Sequence, residues 1–462
     1  MEIPRWHKTA RWLCFAALPC AFGAQAQTLS LTNLLERARA SEPTYLGARA
    51  AVTGARARED QAFGAMLPQV SVSAGTHTND RDYVTRNDYT PEAKDRYNNH
   101  SAQINLTQPL WRPANTAGLD QAKSMAAQAQ WQLTSAEQEL AARLVEAWFD
   151  LLAARDAEAF TGRQAEAAEQ HWRITARARE LGTGSAPQAE AARARFEQAK
   201  ADAAMAGTEI GLKRAALEQW TGALPDGALP HLRGDAELTP QAATDLEAWL
   251  RDVETGNPTL LAARRAHEAA GAEVRKQRAG HSPTLDLVAS YGRNSQAVGG
   301  FPGQAGYDIT QGSVGLQLNV PLYSGGTQSA KVAEALAQED RASQEVEAAR
   351  RSAALAVKRA WFAWQGAVAR AAAGAQAIRA ARAELTRASR GSAQGLQTRL
   401  EVLQAEQQLR AGQRDFRKGR YDQIASFIRL KAATGTLSSS DIAGIDAWLV
   451  APPDAADPKA TQ

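Results

Sequence analysis

Between positions 314 and 320, Val314, Leu316, Leu318 and Val320 alternate with Gly315, Gln317 and Asn319. A period of two puts the apolar set on one face of a strand and the polar set on the other. The same alternation, less regular, marks "VSVSAG" (70–75), "AQINLTQ" (102–108) and "LDLVASYG" (285–292). Strands are therefore expected at about 69–76, 101–108, 284–292 and 313–320. The intervening segments, 79–99 rich in Asn, Asp and Tyr and 293–312 rich in Gly, read as loops. Elsewhere the period lengthens. From Ala114 to Leu181 there is no proline, and Leu133, Leu140, Leu144, Trp148 and Leu151 recur at threes and fours. The spacing predicts a helix over 114–181, on the order of 100 Å long at 1.5 Å per residue. A turn at "LGTGSAP" (181–187) leads to a shorter helix, Gln188–Trp220. A second long helix is expected over 327–390, followed by a turn near "GSAQGL" (391–396) and a helix over Gln397–Ala433. Two further helical segments, Leu29–Met66 and Leu246–Gly280, end at prolines that bar their continuation.

These elements come in one order, written twice. Pro43 matches Pro258 and Pro68 matches Pro283, each 215 residues apart. Pro109 matches Pro321 at 212, and Trp148-Phe149 and Thr221-Gly222 match Trp361-Phe362 and Thr434-Gly435 at 213. Alanine content alone cannot align proline, Trp-Phe and Thr-Gly together, so the chain reads as a duplication. One unit is expected over 27–235, a second over 236–445, and a disordered tail over 446–462.

Composition narrows this further. Hydrophobic residues are 44% of the 462, much of it alanine, which suits long, closely packed helices better than a thick globular core. A net charge of +3 on 53 basic and 50 acidic residues offers no basic face for nucleic acid. Residues 1–26 read as a signal peptide: Arg5, Lys8 and Arg11, then the apolar "WLCFAALPCAFG", then "AQA" at the cleavage position. The apolar run is too short for a membrane anchor. Pro19 stands before Cys20 where lipidation wants a small residue, so lipidation is not expected. Both cysteines fall in this segment, leaving no thiol beyond it. Six histidines follow (His77, His100, His171, His231, His267, His281) without metal-ligand spacing. No phosphate-cradling loop or nucleophile elbow is present either, so neither an enzyme nor a cofactor is expected.

Four strands with one apolar face cannot close a barrel, which needs about eight. If that face meets lipid, every backbone group must be paired and the sheet must close, so several chains must contribute. Long helices with no core of their own need the same remedy. The competing reading is a soluble coiled-coil scaffold carrying two hairpins.

The repeated order of "LPQVSVSAG", the "QPLW" and "VPLY" helix openings, "EAWFDLL" and "RAWFAWQ", and the turns entering "SAPQAEAARA" and "QTRLEVLQAEQQL" resembles the TolC-like outer-membrane efflux and export channels over roughly 28–445. The resemblance implies a mainly α chain with a small transmembrane β part. Three such chains would form a twelve-stranded outer-membrane barrel continued by a periplasmic α-helical barrel. It also implies a passive exit duct, joined by a periplasmic adaptor to an inner-membrane ABC transporter or proton-driven pump. Absence of a lipid-attachment cysteine resembles the type I protein-secretion branch more than drug or metal efflux. Trp111 and Tyr323 would stand at the membrane interface, in contact with outer-membrane lipid. "LGT" (181–183) and "QGL" (394–396) would fall at the periplasmic tips, placing Gly182, Thr183, Gly184, Gly395 and Leu396 where an adaptor docks. The family lines the entrance with two carboxylates one turn apart; here Glu401 takes the first position and Gln404 the second. Its closing latch does not carry over: Gln188 and Gln397 replace the acidic and basic members, and Ser392 stands for an aromatic partner.

Overall fold

The computed structural model describes residues 30–84, 93–224, 229–233, 245–300 and 304–450. Helices α1 (Leu31–Ser41) and α2 (Pro43–Gly64) lead into the hairpin β1 (Gln69–Tyr83) and β2 (Ala93–Trp111), followed by α3 (Pro113–Glu180) and α4 (Ala186–Thr221). After the short β3 (His231–Leu232) the order recurs as α5 (Leu246–Gly256), α6 (Pro258–Arg278), β4 (Thr284–Val298), β5 (Ala305–Asn319), α7 (Thr327–Ala393) and α8 (Arg399–Thr434). A last helix, α9 (Ser439–Asp446), precedes β6 (Leu449–Val450).

The segments expected as single helices over Leu29–Met66 and Leu246–Gly280 are each two helices. The break falls where a capping residue meets proline. Glu42 accepts a hydrogen bond from the Tyr45 N–H (2.5 Å) and Asn257 from that of Leu260 (2.8 Å), with Pro43 and Pro258 at the first helical position. Each break receives the end of a distant helix. Ser41 Oγ donates to the Trp220 carbonyl (2.6 Å) at the end of α4, and Asn257 Nδ2 donates to Ala433 O (2.8 Å) at the end of α8. At the second junction Gly435 holds φ +84°, and a Cβ there would lie 2.0 Å from Gly256 O. Only glycine fits that approach.

Helix α3 packs on α2, α4, α6 and α8, and α7 packs on α6 and α8. The result is one layer in which α2 and α4 share one flank of α3, and α6 and α8 fill the space between α3 and α7. Among the described residues, the largest core lies where α1, α9 and the β3–β6 pair meet this layer. There Leu31, Leu34, Leu144, Trp148, Phe149, Leu217, Ile424 and Ile442 form one cluster. A smaller one gathers Val253, Leu260, Val357 and Leu430. The β3–β6 pair corrects the expectation of a disordered tail from 446, because Leu449 and Val450 pair with Leu232 and His231. Residues 451–462 and the signal segment 1–26 lie outside the described residues.

The four long strands form one antiparallel sheet in the order β1-β2-β4-β5. They outrun the expected 69–76, 101–108, 284–292 and 313–320, and consume most of the segments read as loops. The alternation fades there because both faces become polar, while backbone pairing continues from Gly75↔Ser101 to Tyr83↔Ala93. Cross-strand pairs such as Arg81–Asp95 (2.5 Å) and Lys94–Asp82 (3.1 Å) support this stretch. The loop tips around Asn87 and Gly303 lie outside the described residues. Among the described residues, strands β1 and β5 leave both sheet edges without a partner.

Candidate functional site

Register assigns every side chain of the sheet to a face. Val70 and Val72 of β1 lie level with Leu106 and Ile104 of β2, which lie level with Ala289 and Tyr291 of β4. Leu285, Leu287 and Ala289 lie in turn level with Leu318, Leu316 and Val314 of β5. One face is thus a continuous apolar band, with Val314 77% exposed and no covering element. Above Ala74, Ala102 and Tyr291 the same face turns polar, as in Thr76 with His100 (2.9 Å), Thr78 with Asn98 (3.0 Å) and Arg293 with Asp308 (2.9 Å). The opposite face carries Ser71, Ser73, Gln103, Asn105, Ser290 and Ser313, with the two serines of β4 and β5 hydrogen-bonded at 2.8 Å. A polar cleft of about 590 Å³ opens on it, lined by His77, Asn99, Gln103, Ser290 and Asn294. A sheet apolar on one side and wet on the other suits a barrel with lipid outside and water inside.

Below the band, Trp111 ends β2 at 60% exposed, and Tyr323, just before α7, is 91% exposed. Between them Arg112 grips the buried Asp286 carboxylate through Nε (2.7 Å) and Nη2 (2.6 Å), tying the β2–α3 corner to β4. Among the described residues no helix is long and apolar enough to cross a membrane.

At the far end of the long helices two turns share one construction. The α3–α4 turn holds Gly182 at φ +73°, while the Thr183 and Gly184 N–H groups both donate to Ala178 O (2.9 Å each). The α7–α8 turn holds Gly395 at φ +75°, and the Leu396 and Gln397 N–H groups donate to Gly391 O (2.8 and 3.2 Å). Doubled acceptance at the last carbonyls closes both helices, and glycine supplies the left-handed residue each closure needs. Leu181 and Leu396 project beside these glycines at 63% and 78% exposed.

The entrance residues do not form one set. Thr398 and Glu401 make a reciprocal cap: Thr398 N–H donates to Glu401 Oε2 (3.0 Å) and Glu401 N–H to Thr398 Oγ1 (3.3 Å). The "TRLE" spelling carried that signal, and the role was missed in the sequence. Gln404 instead lines a cleft of about 460 Å³ between α8 and the α3–α4 pair, with Leu400, Leu403, His171 and Arg195. Val402 turns the other way and packs on Ala388 and Ala405. Gln397, with its amide turned to donate to Ala388 O (3.3 Å), accepts from Arg387 Nη1 (3.1 Å). Hydrogen bonding to Glu384, with a smaller contribution from Glu401, holds the Arg387 guanidinium above its ordinary pKa. Gln188 enters its own turn through its backbone N–H, which donates to Ser185 Oγ (3.4 Å), and no hydrogen bond joins it to Gln397 among the described residues.

Sequence reading also missed a buried polar knot between α3 and α8. Asp156, 8% exposed, accepts from Tyr421 Oη (2.9 Å) and Arg417 Nη1 (3.2 Å), with Arg155 Nη2 at 3.6 Å. Burial, and then the Asp156 charge, push the Tyr421 phenol pKa up, so it remains a donor. Tyr421 stacks on Phe149 at 5.4 Å.

Comparison with known proteins decides the family. The model of the family described as "Outer membrane efflux protein" matches residues 34–223 and 249–436, one stretch in each half. The chain belongs to that family. It is an outer-membrane channel protein, and its relatives are channels rather than enzymes. Among them is Outer membrane protein TolC of Vibrio cholerae, 28% identical over 448 residues, covering 94% of this chain and 98% of that protein. Another is the Alkaline protease secretion protein AprF of Pseudomonas aeruginosa, 26% identical over 437 residues, covering 93% and 89%. The fold is shared with the crystal structure of the outer membrane protein VceC from Vibrio cholerae, at a TM-score of 0.70 with 21% identity, covering 88% and 96%.

Proposed function

We propose that three copies of this efflux-family chain form a passive exit duct of a tripartite export system, and that its cargo is a secreted protein. The observation that carries the duct is the sheet: one apolar face, one polar face and two open edges. Strand directions alternate from β1 to β5, so β5 of one copy pairs antiparallel with β1 of the next, and the pairing repeats until it closes. The helix layer follows around the same axis. No energy-coupling site is part of this reading; an inner-membrane ABC transporter supplies the work through a periplasmic adaptor, with a proton-driven pump as the alternative partner. Kinship with the protease-secretion protein AprF supports protein cargo. Deleting the gene should remove a protein from the culture supernatant and leave resistance to dyes and detergents unchanged. Lost resistance with an unaltered supernatant would assign the duct to small molecules.

In this reading the sheet faces the outside and the turns at Gly182 and Gly395 face the inner membrane, where the adaptor docks against Thr183, Gly184 and Leu396. Replacing Gly395 with tryptophan should reduce export at least tenfold while trimers persist, because a bulky side chain blocks approach and strains the left-handed residue. Normal export by that variant removes docking from this turn.

Glu401 from three copies would ring the entrance and favour cations, since low-dielectric walls focus the field of like charges. Its capping role predicts a second effect. Glu401→Gln should lower cation preference in planar bilayers but leave the helix start in place, as glutamine also completes a capping box. Gln404→Asp should strengthen block by multivalent cations. Unchanged selectivity and block in both would leave Glu401 as a cap alone.

A further inference from the structure

Directly below the Asp156 knot, α3 and α8 part to leave a cleft of about 250 Å³. Its walls are Asp156, Phe160 and Arg163 from α3, and Arg410, Arg414 and Arg417 from α8. Four guanidiniums thus share the cleft with one buried carboxylate. That carboxylate is already occupied by Tyr421, Arg417 and Arg155. Arg414 lies over the Phe160 ring (4.5 Å) and is paired with Asp415 (2.7 Å), which fixes its orientation. Arg163 and Arg410 have no hydrogen bond or ion pair with any described residue. Most of the long-helix arginines near them behave differently, since Arg143, Arg173, Arg177 and Arg179 each meet a glutamate within 3.3 Å.

Uncompensated guanidiniums lining one cleft repel each other, and the arrangement gains most from a ligand bearing several negative oxygens. The planar, always-charged fork of arginine matches the oxygens of phosphate and its anhydrides. At roughly 30 Å³ per water the cleft holds about eight waters, room for a diphosphate-sized anion. We infer that this α3–α8 cleft is a binding site for a small multivalent oxyanion of the phosphate class, held by Arg163 and Arg410 with Arg414 and Arg417 in support. Both helices come from one chain, so each copy carries a complete site whether or not the assembly proposed above is correct. The bound anion would bridge α3 to α8 below the knot, where the cleft otherwise separates them.

The test uses the full-length protein in detergent, titrated calorimetrically with inorganic pyrophosphate at constant ionic strength, alongside its thermal unfolding. Saturable binding of one anion per chain and a rise in unfolding temperature with pyrophosphate are expected. Arg163→Gln with Arg410→Gln should weaken binding roughly tenfold or more, since each lost guanidinium removes charge-assisted hydrogen bonds. Neither residue has an internal partner, so the unliganded unfolding temperature of this double variant should match or exceed that of the parent. Arg382→Gln, at an exposed position of α7, should leave binding unchanged. Absence of saturable binding, equal affinity in the double variant, or a lowered unliganded unfolding temperature in it would each overturn the site.

Discussion

Lysine in place of Leu316 should abolish recovery of the assembled particle from outer membranes, while lysine in place of Gln317 should leave it near normal. The two residues are neighbours on β5, yet register puts Leu316 level with Leu287 on the apolar face and Gln317 level with Asp286 on the polar one. Leu316 sits mid-band, between Leu318 below and Val314 above, and is 67% exposed in the isolated chain. A lysine facing lipid near the bilayer centre costs about 2–4 kcal/mol. Three copies per particle would bring this to roughly 6–12 kcal/mol, enough to prevent assembly. On the polar face lysine stays in water and loses nothing comparable. Heat-modifiable oligomer on gels of outer-membrane fractions reads the difference. Equal recovery of the two variants, or a worse result for Gln317→Lys, would mean that the faces are assigned the wrong way round.

Asp156→Ala should be the most damaging single change in the helical part. It strands the Tyr421 hydroxyl and leaves Arg417 and Arg155 facing each other without their shared carboxylate. Removing one partner of a buried pair costs about 3–5 kcal/mol. Arg417 is 58% exposed and Arg155 27%, so solvent screening holds the loss toward the lower end of that range. Asp156→Asn, which keeps an acceptor for Tyr421, should lose less, and Arg417→Ala less again. Thermal unfolding of the purified protein should rank them in that order. If alanine and asparagine behave alike, the hydrogen bond to Tyr421 contributes nothing.

The sequence displayed most of the fold because alternation and helical spacing are local signals. Strands showed where one face was apolar, as at Val314, Leu316 and Leu318, and vanished from view where Thr76, His77 and Thr78 made both faces polar. Pro43 and Pro258 stood inside segments read as single helices, and the breaks emerged only where Ser41 and Asn257 met the ends of α4 and α8. Pairing of Leu449–Val450 with His231–Leu232 joins residues more than two hundred positions apart, and nothing local announces it. The site was less legible. Asp156 reads as an ordinary helix carboxylate in "LLAARDAEAF", and only the arrival of Tyr421 and Arg417 from α8 makes it a knot. Glu401 was read only as a family gate position, while the Thr-x-x-Glu cap spelled by Thr398 and Glu401 was passed over, and the cap is what its hydrogen bonds display.

The central claim is that four strands with two open edges are one third of a closed barrel. Native mass measurement of the detergent-extracted mature protein tests it most directly. The account predicts a single species of three chains that resists dilution. A particle of one chain, stable and monodisperse, would contradict it.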